Sequence, residues 1–490
     1  MKFSEYICLN NLDNVLILPR GGEIGSGVDL FTLNDNIPAG HKAAGRNIAT
    51  GEPVIKYGHT IGAAARDIKQ GDWVHEHNVT ARLRYDDDEF PAWGGARAVL
   101  SHISDKNFMG YRRYSGRPGV RNDLWVIPTV GCISEELRSI LKNYHKPYWI
   151  DAVKLLEHTS GYSQIGEDLD LTLNILVGLA QNPNAAGVLL VGHGGESLTV
   201  SELNSRLSNK DLNVMKLTLQ ETPNPADSLN SMLDELASLA PRVREEFPIS
   251  EICVGIMCRD IDRYSGLTAN PLVGRFSDFL TKYGGVIVAA GIPEMFGASG
   301  AIVPRISSKK TYENFISRDR WFRDYLARRN QPIGGVLSPS DKVNGITTAE
   351  EKSLVILENT GSAFITGILK YGEQADAAPG VQIVFSSGND LISSTSLAGS
   401  GAQIILCAAG RDTSFGAVTP TLKISTNTDL ARRHPDWADF DAGTLLDGES
   451  WESVTERLIE CVLRAASGEY VSHEKKGFWE IAVFDLKSEA

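Results

Sequence analysis

The chain has 490 residues, 42% hydrophobic and 22% charged, with a formal net charge of -13. That length exceeds one hydrophobic core, so two to four domains are expected. The acidic balance argues against nucleic acid as a partner, and no apolar run approaches membrane-spanning length. The first residues lack the basic start and long apolar core of a secretion signal. Six cysteines (Cys8, Cys132, Cys253, Cys258, Cys407 and Cys461) are scattered without a CxxC pair. Such usage fits a reducing cytoplasm and offers no zinc or cluster spacing.

Residues 1–85 read as a β-rich module of short apolar segments, such as Pro53–Lys56, set among Gly, Asp and Asn. The module ends in His75-Glu76-His77-Asn78. In a strand, His75 and His77 share a face, where two imidazoles can bind a metal or a carboxylate. For His-x-His alone, a pair of surface histidines is the simpler reading. Residues 86–105, with Asp86-Asp87-Asp88-Glu89, Pro91 and Gly94-Gly95, read as a linker.

Two α/β lobes are expected next, over 106–248 and 249–490. In the first, Leu124 to Pro128 and Ala186 to Val191 read as buried strands, and Leu169 to Ala180 as a helix. Polar turns follow the strands: Thr129 to Cys132, Glu157-His158-Thr159, and Gly192-His193-Gly194-Gly195-Glu196. Residues 198–248 read as helical, charged surface. In the second lobe, Ile252 to Met257 is an apolar run ending in Cys258, with Arg259, Asp260, Asp262 and Arg263 directly after it. Val273, Phe276, Phe279 and Leu280 recur at helical spacing, and Val286 to Ala290 is a second strand with Glu294 just beyond. Gln403 to Ala408 is another, and residues 450–490 read as a helix and a final strand. Alternating strands and helices predict Rossmann-like parallel sheets, with ligands at the strands' carboxyl ends. No GxGxxG fingerprint, P-loop, GxSxG elbow or HExxH helix occurs.

The ordered motifs carry a resemblance. Gly40-His41-Lys42, Lys56-Tyr57-Gly58 and Val74-His75-Glu76-His77-Asn78 are similar to the SAF (β-clip) domain of the altronate/galactarate dehydratase family. Gly119-Val120-Arg121-Asn122, Pro128-Thr129-Val130-Gly131-Cys132, His158-Thr159, Ser265 to Pro271, Pro293 to Gly297, Gly345 to Thr348, Glu351 to Leu354, Gly388-Asn389-Asp390 and Asp439 to Gly443 resemble that family's body. The resemblance covers nearly the whole chain. It implies a hydro-lyase that removes water from a sugar acid, giving a 2-keto-3-deoxy acid, with a divalent metal such as iron or manganese. A related branch eliminates sulfite from a sulfonated hydroxy acid.

Three departures bear on the metal. The family's cysteines after His-Thr-x-Gly and in Gly-x-Gly-Cys-Glu are replaced by Tyr162 and Gly195; the third position keeps Cys258, but Arg259 and Asp260 follow it where the family has glycines. Thiolates suit iron, so the resemblance here implies an iron site that is weakened or absent, with His75, His77 and Cys258 as candidate ligands. Removing a proton alpha to a carboxylate needs a base and a cation near the developing enediolate. His158, Lys352, Glu294 and Asp262 are the candidates for proton transfer, with Glu351 beside them. Arg121, Asn122, His193, Arg259, Asn270, Asn389 and Asp390 are candidates for holding the substrate. A shared cavity is expected to gather His158, His193, Asp262, Glu294 and Lys352. Three functions are open: the metal-dependent sugar-acid dehydratase, a lyase or isomerase on another hydroxy acid without the usual iron site, and a non-catalytic sugar-acid binder. A homodimer is expected.

Overall fold

The computed structural model describes the chain except at residues 1–5, 29–30, 84–89, 98, 100, 115, 209–210, 292–294, 296, 332–336, 412–413 and 486–490. The N-terminal module carries two three-stranded antiparallel sheets. One sets Val15–Ile17 beside Lys42–Ala44 and Trp73–Val74; the other sets Pro53–Lys56 beside His59–Ala64 and Val79–Thr80. The second sheet's hairpin turns on Tyr57 and Gly58, both at positive φ, 61° and 74°. Positive φ at both central residues is the type I′ geometry that matches strand twist. Asp13 braces the turn by accepting from the Gly58 N–H at 2.8 Å.

The first lobe has a four-stranded parallel sheet in the order Val153–Leu155, Asp123–Pro128, Ala185–Gly192, Val214–Thr218. Asn107–Gly110 pairs antiparallel with Glu245–Pro248, tying the lobe's entry to its exit. The second lobe has a seven-stranded parallel sheet: Ile365–Leu369, Gly380–Val384, Val286–Ala290, Cys253–Arg259, Ile404–Ala409, Thr421–Ser425, Phe440–Asp441. Its central strands are buried on both faces, which is why they read as unbroken apolar runs.

The lobes meet through helices Glu167–Ala180 and Asp390–Gly399. A Cβ at Gly178 would stand 2.5 Å from the Gly399 carbonyl oxygen, so only glycine permits that approach. The Asn182 amide donates to the carbonyls of Ala398 and Ala402 at 2.8 and 3.0 Å.

A β-rich module followed by a two-lobed α/β body is the architecture the sequence predicts, and the structure has it. Three local readings are corrected. Residues 198–248 contain the strands Val214–Thr218 and Glu245–Pro248 as well as helices. Among the described residues, helices Trp451–Ala466 and Ser472–Lys475 are followed by a single bridge from Glu480 to Ala417 rather than a strand. The described part of 86–105 is strapped to the second lobe: Trp93 Nε1 donates to the Ile306 carbonyl at 3.0 Å and Arg97 N–H to that of Ser307 at 3.0 Å.

Candidate active site

In the seven-stranded sheet the strand order reverses between Cys253–Arg259 and Ile404–Ala409, the point at which open α/β sheets leave a crevice. Arg259 ends the first of these strands. Gly410 follows the second, and a Cβ there would stand 2.2 Å from the Asp260 carbonyl oxygen, so glycine lets the two ends close up. Arg259 Nε lies 3.2 Å from Asp390 Oδ2 and 3.4 Å from Asp260 Oδ2, with the guanidinium 5.2 Å above the Phe415 ring. Asp390 begins its helix behind an Asn389 cap, whose Oδ1 accepts from the Leu391 and Ile392 N–H groups at 2.9 and 3.3 Å. Burial pushes the Asp390 carboxyl up to about 6; Asp260 adds to this, while Arg259 and Lys352 oppose it.

Lys352 Nζ donates to Asp341 Oδ2 at 2.9 Å. Asp341 sits on the short helix Pro339–Val343, and the same oxygen accepts from the Ser338 N–H at 2.8 Å in a capping box. Two cations and three carboxylates (Arg259, Lys352, Asp260, Asp341 and Asp390) therefore gather at one sheet edge. Cys258 lies under that edge. Asn270 Nδ2 donates to its sulfur at 3.5 Å and to the Val355 carbonyl at 2.8 Å, and burial pushes the thiol far up. Asp262 shapes the loop between strand and helix: Oδ1 accepts from Tyr264 N–H and the Ser265 hydroxyl, Oδ2 from the Thr426 hydroxyl at 2.9 Å. Burial raises its carboxyl against those bonds.

The N-terminal module docks beside this edge. His75 Nε2 donates to the Lys342 carbonyl at 3.0 Å. His41 Nδ1 accepts from Trp73 Nε1 at 3.3 Å, leaving Nε2 to donate to the Val343 carbonyl at 3.1 Å. Burial drops His41 to about 4. His75 and His77 do not share a face: the strand ends at Val74, the residues after it form a turn, and His75 is buried against the body while His77 is exposed. Deeper in the seam, Lys42 Nζ reaches both Glu351 oxygens at 2.9 Å and Lys56 Nζ reaches Oε1 at 2.8 Å. A small hollow of about 10 Å³ beside them is lined by Lys56, Tyr57, Asp262, Arg263 and Asn344 among others. Sequence reasoning quotes Lys42 and Lys56 only inside motifs and passes over Asp341; nothing in their spacing shows that they converge.

The first lobe's edge is different. His158 Nε2 donates to the Pro128 carbonyl at 2.8 Å and Nδ1 accepts from the Ser160 N–H at 3.2 Å. Both ring nitrogens are thus engaged by backbone, and burial lowers the imidazole's pKa. Near His193, the Glu196 carboxylate accepts from the N–H groups of His193, Gly194 and Gly195 at 3.1, 2.6 and 2.9 Å and from the Thr129 hydroxyl at 2.8 Å. Burial pushes Glu196 up, but those donors outweigh it and hold the carboxyl below its usual range. Arg121 and Asn122 lie in the interior, away from either edge. Arg121 pairs through Nε and Nη2 with Glu474 at 2.8 and 2.7 Å and donates to the Ala465 and Glu469 carbonyls. Asn122 Nδ2 donates to the Trp149 and Pro241 carbonyls. Glu294 lies outside the described residues.

Three family models match along the chain: an altronate/galactarate dehydratase SAF domain over residues 4–82, a D-galactarate dehydratase/altronate hydrolase second domain over 110–244, and a D-galactarate/altronate dehydratase C-terminal domain over 249–488. Altronate dehydratase of Bacillus subtilis (strain 168) is 34% identical, over 98% of both chains, and that of Escherichia coli (strain K12) is 35% identical, over 98% of this chain and 99% of its own. The chain belongs to the altronate/galactarate dehydratase family. A more distant member comes as two chains. The (2R)-sulfolactate sulfo-lyase of Chromohalobacter salexigens has a beta subunit 27% identical over 79% of this chain and all of its own, and an alpha subunit 48% identical over 11% of this chain and 55% of its own.

The resemblance to the dehydratases implies a divalent metal, and the nominated ligands do not converge on one. His75 Nε2 is turned onto the Lys342 carbonyl, His77 is exposed to solvent, and the half-buried Cys258 thiol lies 3.5 Å from the Asn270 amide. Among the described residues no three His, Cys, Asp or Glu side chains converge as a metal-ligating group. Of the nominated substrate-binding and catalytic residues, Arg259, Asp262, Asn270, Lys352, Asn389 and Asp390 meet at the second lobe's edge. His158 and His193 belong to the other sheet.

Proposed function

We propose that the chain is a hydro-lyase that removes water from a sugar acid, an aldonate or aldarate, to give a 2-keto-3-deoxy acid. What carries this reading is the Arg259, Lys352 and Asp390 set at the switch-point edge of a chain that matches altronate dehydratases along 98% of its length. Arg259 offers the planar fork that suits a carboxylate and a cation beside the enediolate that forms there. As the substrate displaces it from Asp341, Lys352 leaves a proton on that carboxylate and, as the neutral amine, takes the α-proton. Asp390, with a carboxyl near 6, gives its proton to the departing β-hydroxyl. Asn270, Asn389 and the Asp262 loop shape the edge around them. His158, His193 and Glu294 are further candidates, and mutating them one at a time assigns or removes a role. A cytoplasmic, dimeric enzyme completes the proposal, and sedimentation checks the assembly. No helix among the described residues is long and apolar enough to cross a membrane.

The test is a panel of aldonates and aldarates incubated with protein purified without oxygen and supplied with divalent metals, with 2-keto-3-deoxy acid as the readout. Failure to turn over any of them sinks the reading. A second reading, a lyase on another hydroxy acid, is favoured by the match to both subunits of the sulfo-lyase. Sulfite release from sulfolactate in the same panel would establish it.

A further inference from the structure

We infer that the N-terminal module is a constituent part of the active site, with Lys42 and Lys56 acting through Glu351 as positioning residues for Lys352. The kinetic part of this inference rests on the hydro-lyase reading; the structural part does not.

Helix Ala349–Leu357 begins at the seam, and the module grips its whole first turn. The N-cap Thr348 accepts from the Glu351 N–H at 3.1 Å and donates its own hydroxyl proton to the Ile61 carbonyl of the module. Glu350 Oε1 accepts from the N–H groups of Arg82 and Leu83 at 2.6 and 3.0 Å. Glu351, whose side chain has no exposed surface, receives Lys42 and Lys56 from the module. Its second oxygen also accepts from the Thr347 N–H and hydroxyl at 2.9 and 2.6 Å. Lys42 gives a further proton to the Gly345 carbonyl at 2.6 Å. Burial alone would raise the Glu351 carboxyl, but the two ammonium groups hold it far below its usual range.

The next residue is Lys352. Successive helical residues are about 100° apart around the axis. Fixing Glu351 against the module therefore fixes the direction in which Lys352 leaves the helix, toward Asp341 and Asp390. Asp341 is gripped from the module as well, because His41 and His75 hold the last carbonyls of its short helix. Both ends of the Lys352–Asp341 pair are thus set by the module, through contacts that share no residue.

The full-length variant Glu351→Gln keeps the shape of the site and removes the charge that both lysines hold. Reactive-site geometry displaced by about 1 Å lowers rates about 100-fold, so kcat should fall about 100-fold with KM within about threefold of wild type. A clamp with a merely structural role would lower the melting temperature and leave the kcat of the folded protein unchanged, which overturns the inference. The position of Lys352 is read separately, by reductive methylation with ¹³C-formaldehyde and NMR, its resonance assigned by its loss in Lys352→Arg. That resonance should move in Glu351→Gln; an unmoved resonance overturns the inference whether or not a substrate is known. Should Glu351→Gln not fold, Lys56→Met leaves the Lys42 pair in place and undergoes the same two measurements, with a moved resonance and a kcat loss of about tenfold expected.

Discussion

The two parallel sheets end in similar sequence, apolar strands running into turns rich in glycine and polar residues, yet their edges are chemically unlike. At the first lobe's edge the polar groups are answered by the backbone. His158 spends both nitrogens on main-chain partners, and Glu196 sits in a ring of N–H groups from its own loop. At the second lobe's edge, charged side chains are answered by other charged side chains: Arg259 by its neighbour Asp260 and, from a separate helix, by Asp390, and Lys352, from a separate helix again, by Asp341. A side chain held by its own backbone stabilises a loop. One held by an opposite charge across a crevice can exchange that partner for a substrate of the same sign. The contrast is the ground on which the chemistry is proposed at the second edge, where motif density alone does not choose between the two.

The largest effect expected at the second edge follows removal of its proposed base. Lys352→Met should lower kcat about 1,000-fold, with the thermal melt little changed; steady-state kinetics on the turned-over sugar acid checks it. Next in size is an acid effect on the whole fold. His41 and His473 are buried with pKa values near 4, below the unfolded value of 6.5. The unfolded chain then binds more protons between those limits. Stability should be complete above about pH 6.5 and fall as the pH drops toward 4, by about 3 kcal/mol for each histidine. Urea melts at pH 7 and at steps down to pH 4 measure it.

Arg259→Met should raise KM about 30-fold, as the loss of about 2 kcal/mol of charge-assisted hydrogen bonding requires. An unchanged KM would place the substrate carboxylate elsewhere. The first edge should respond in stability alone. Glu196→Gln puts an amide donor against N–H groups and should cost about 2 kcal/mol, with kcat unchanged; a kcat loss beyond about tenfold would bring the first edge into the chemistry. The smallest change is a shift in pH dependence. Asp260 pushes the Asp390 carboxyl up, so Asp260→Asn should move the limb of the kcat/KM profile near pH 6 to lower pH. A limb that stays in place detaches Asp390 from proton transfer.

How much of this was legible in the sequence depends on what each signal reports. Leu124 to Pro128 and Val286 to Ala290 are buried on both faces, so composition alone marks them as strands. Val214–Thr218 is an edge strand with only Leu217 buried, and Lys216 interrupts its apolar run; it passes for helical surface. Arg259, Lys352 and Asp390 are identifiable because charge follows an apolar run or sits among small residues. Arg121 gives the same local signal, and only its pairing with a residue more than 300 positions away shows that it is structural. Asp341 lies in Ser338-Pro339-Ser340-Asp341, which reads as a helix start. Its second task, on Lys352, exists only in three dimensions.

The pairing of Arg121 with Glu474 also bears on the order of events during synthesis. The guanidinium is buried at the start of the first lobe, and its carboxylate partner is encoded 353 residues later. At translation speeds of about 5–20 residues per second, roughly 20–70 s separate the emergence of the two from the ribosome. Until then the first lobe, though its four strands are already made, cannot bury Arg121 without leaving a charge unpaired. Until those residues arrive Arg121 stays hydrated, and helices Trp451–Ala466 and Ser472–Lys475 bring the groups that cover it. A ribosome stalled before Glu474 would therefore display a first lobe more sensitive to protease than the finished protein.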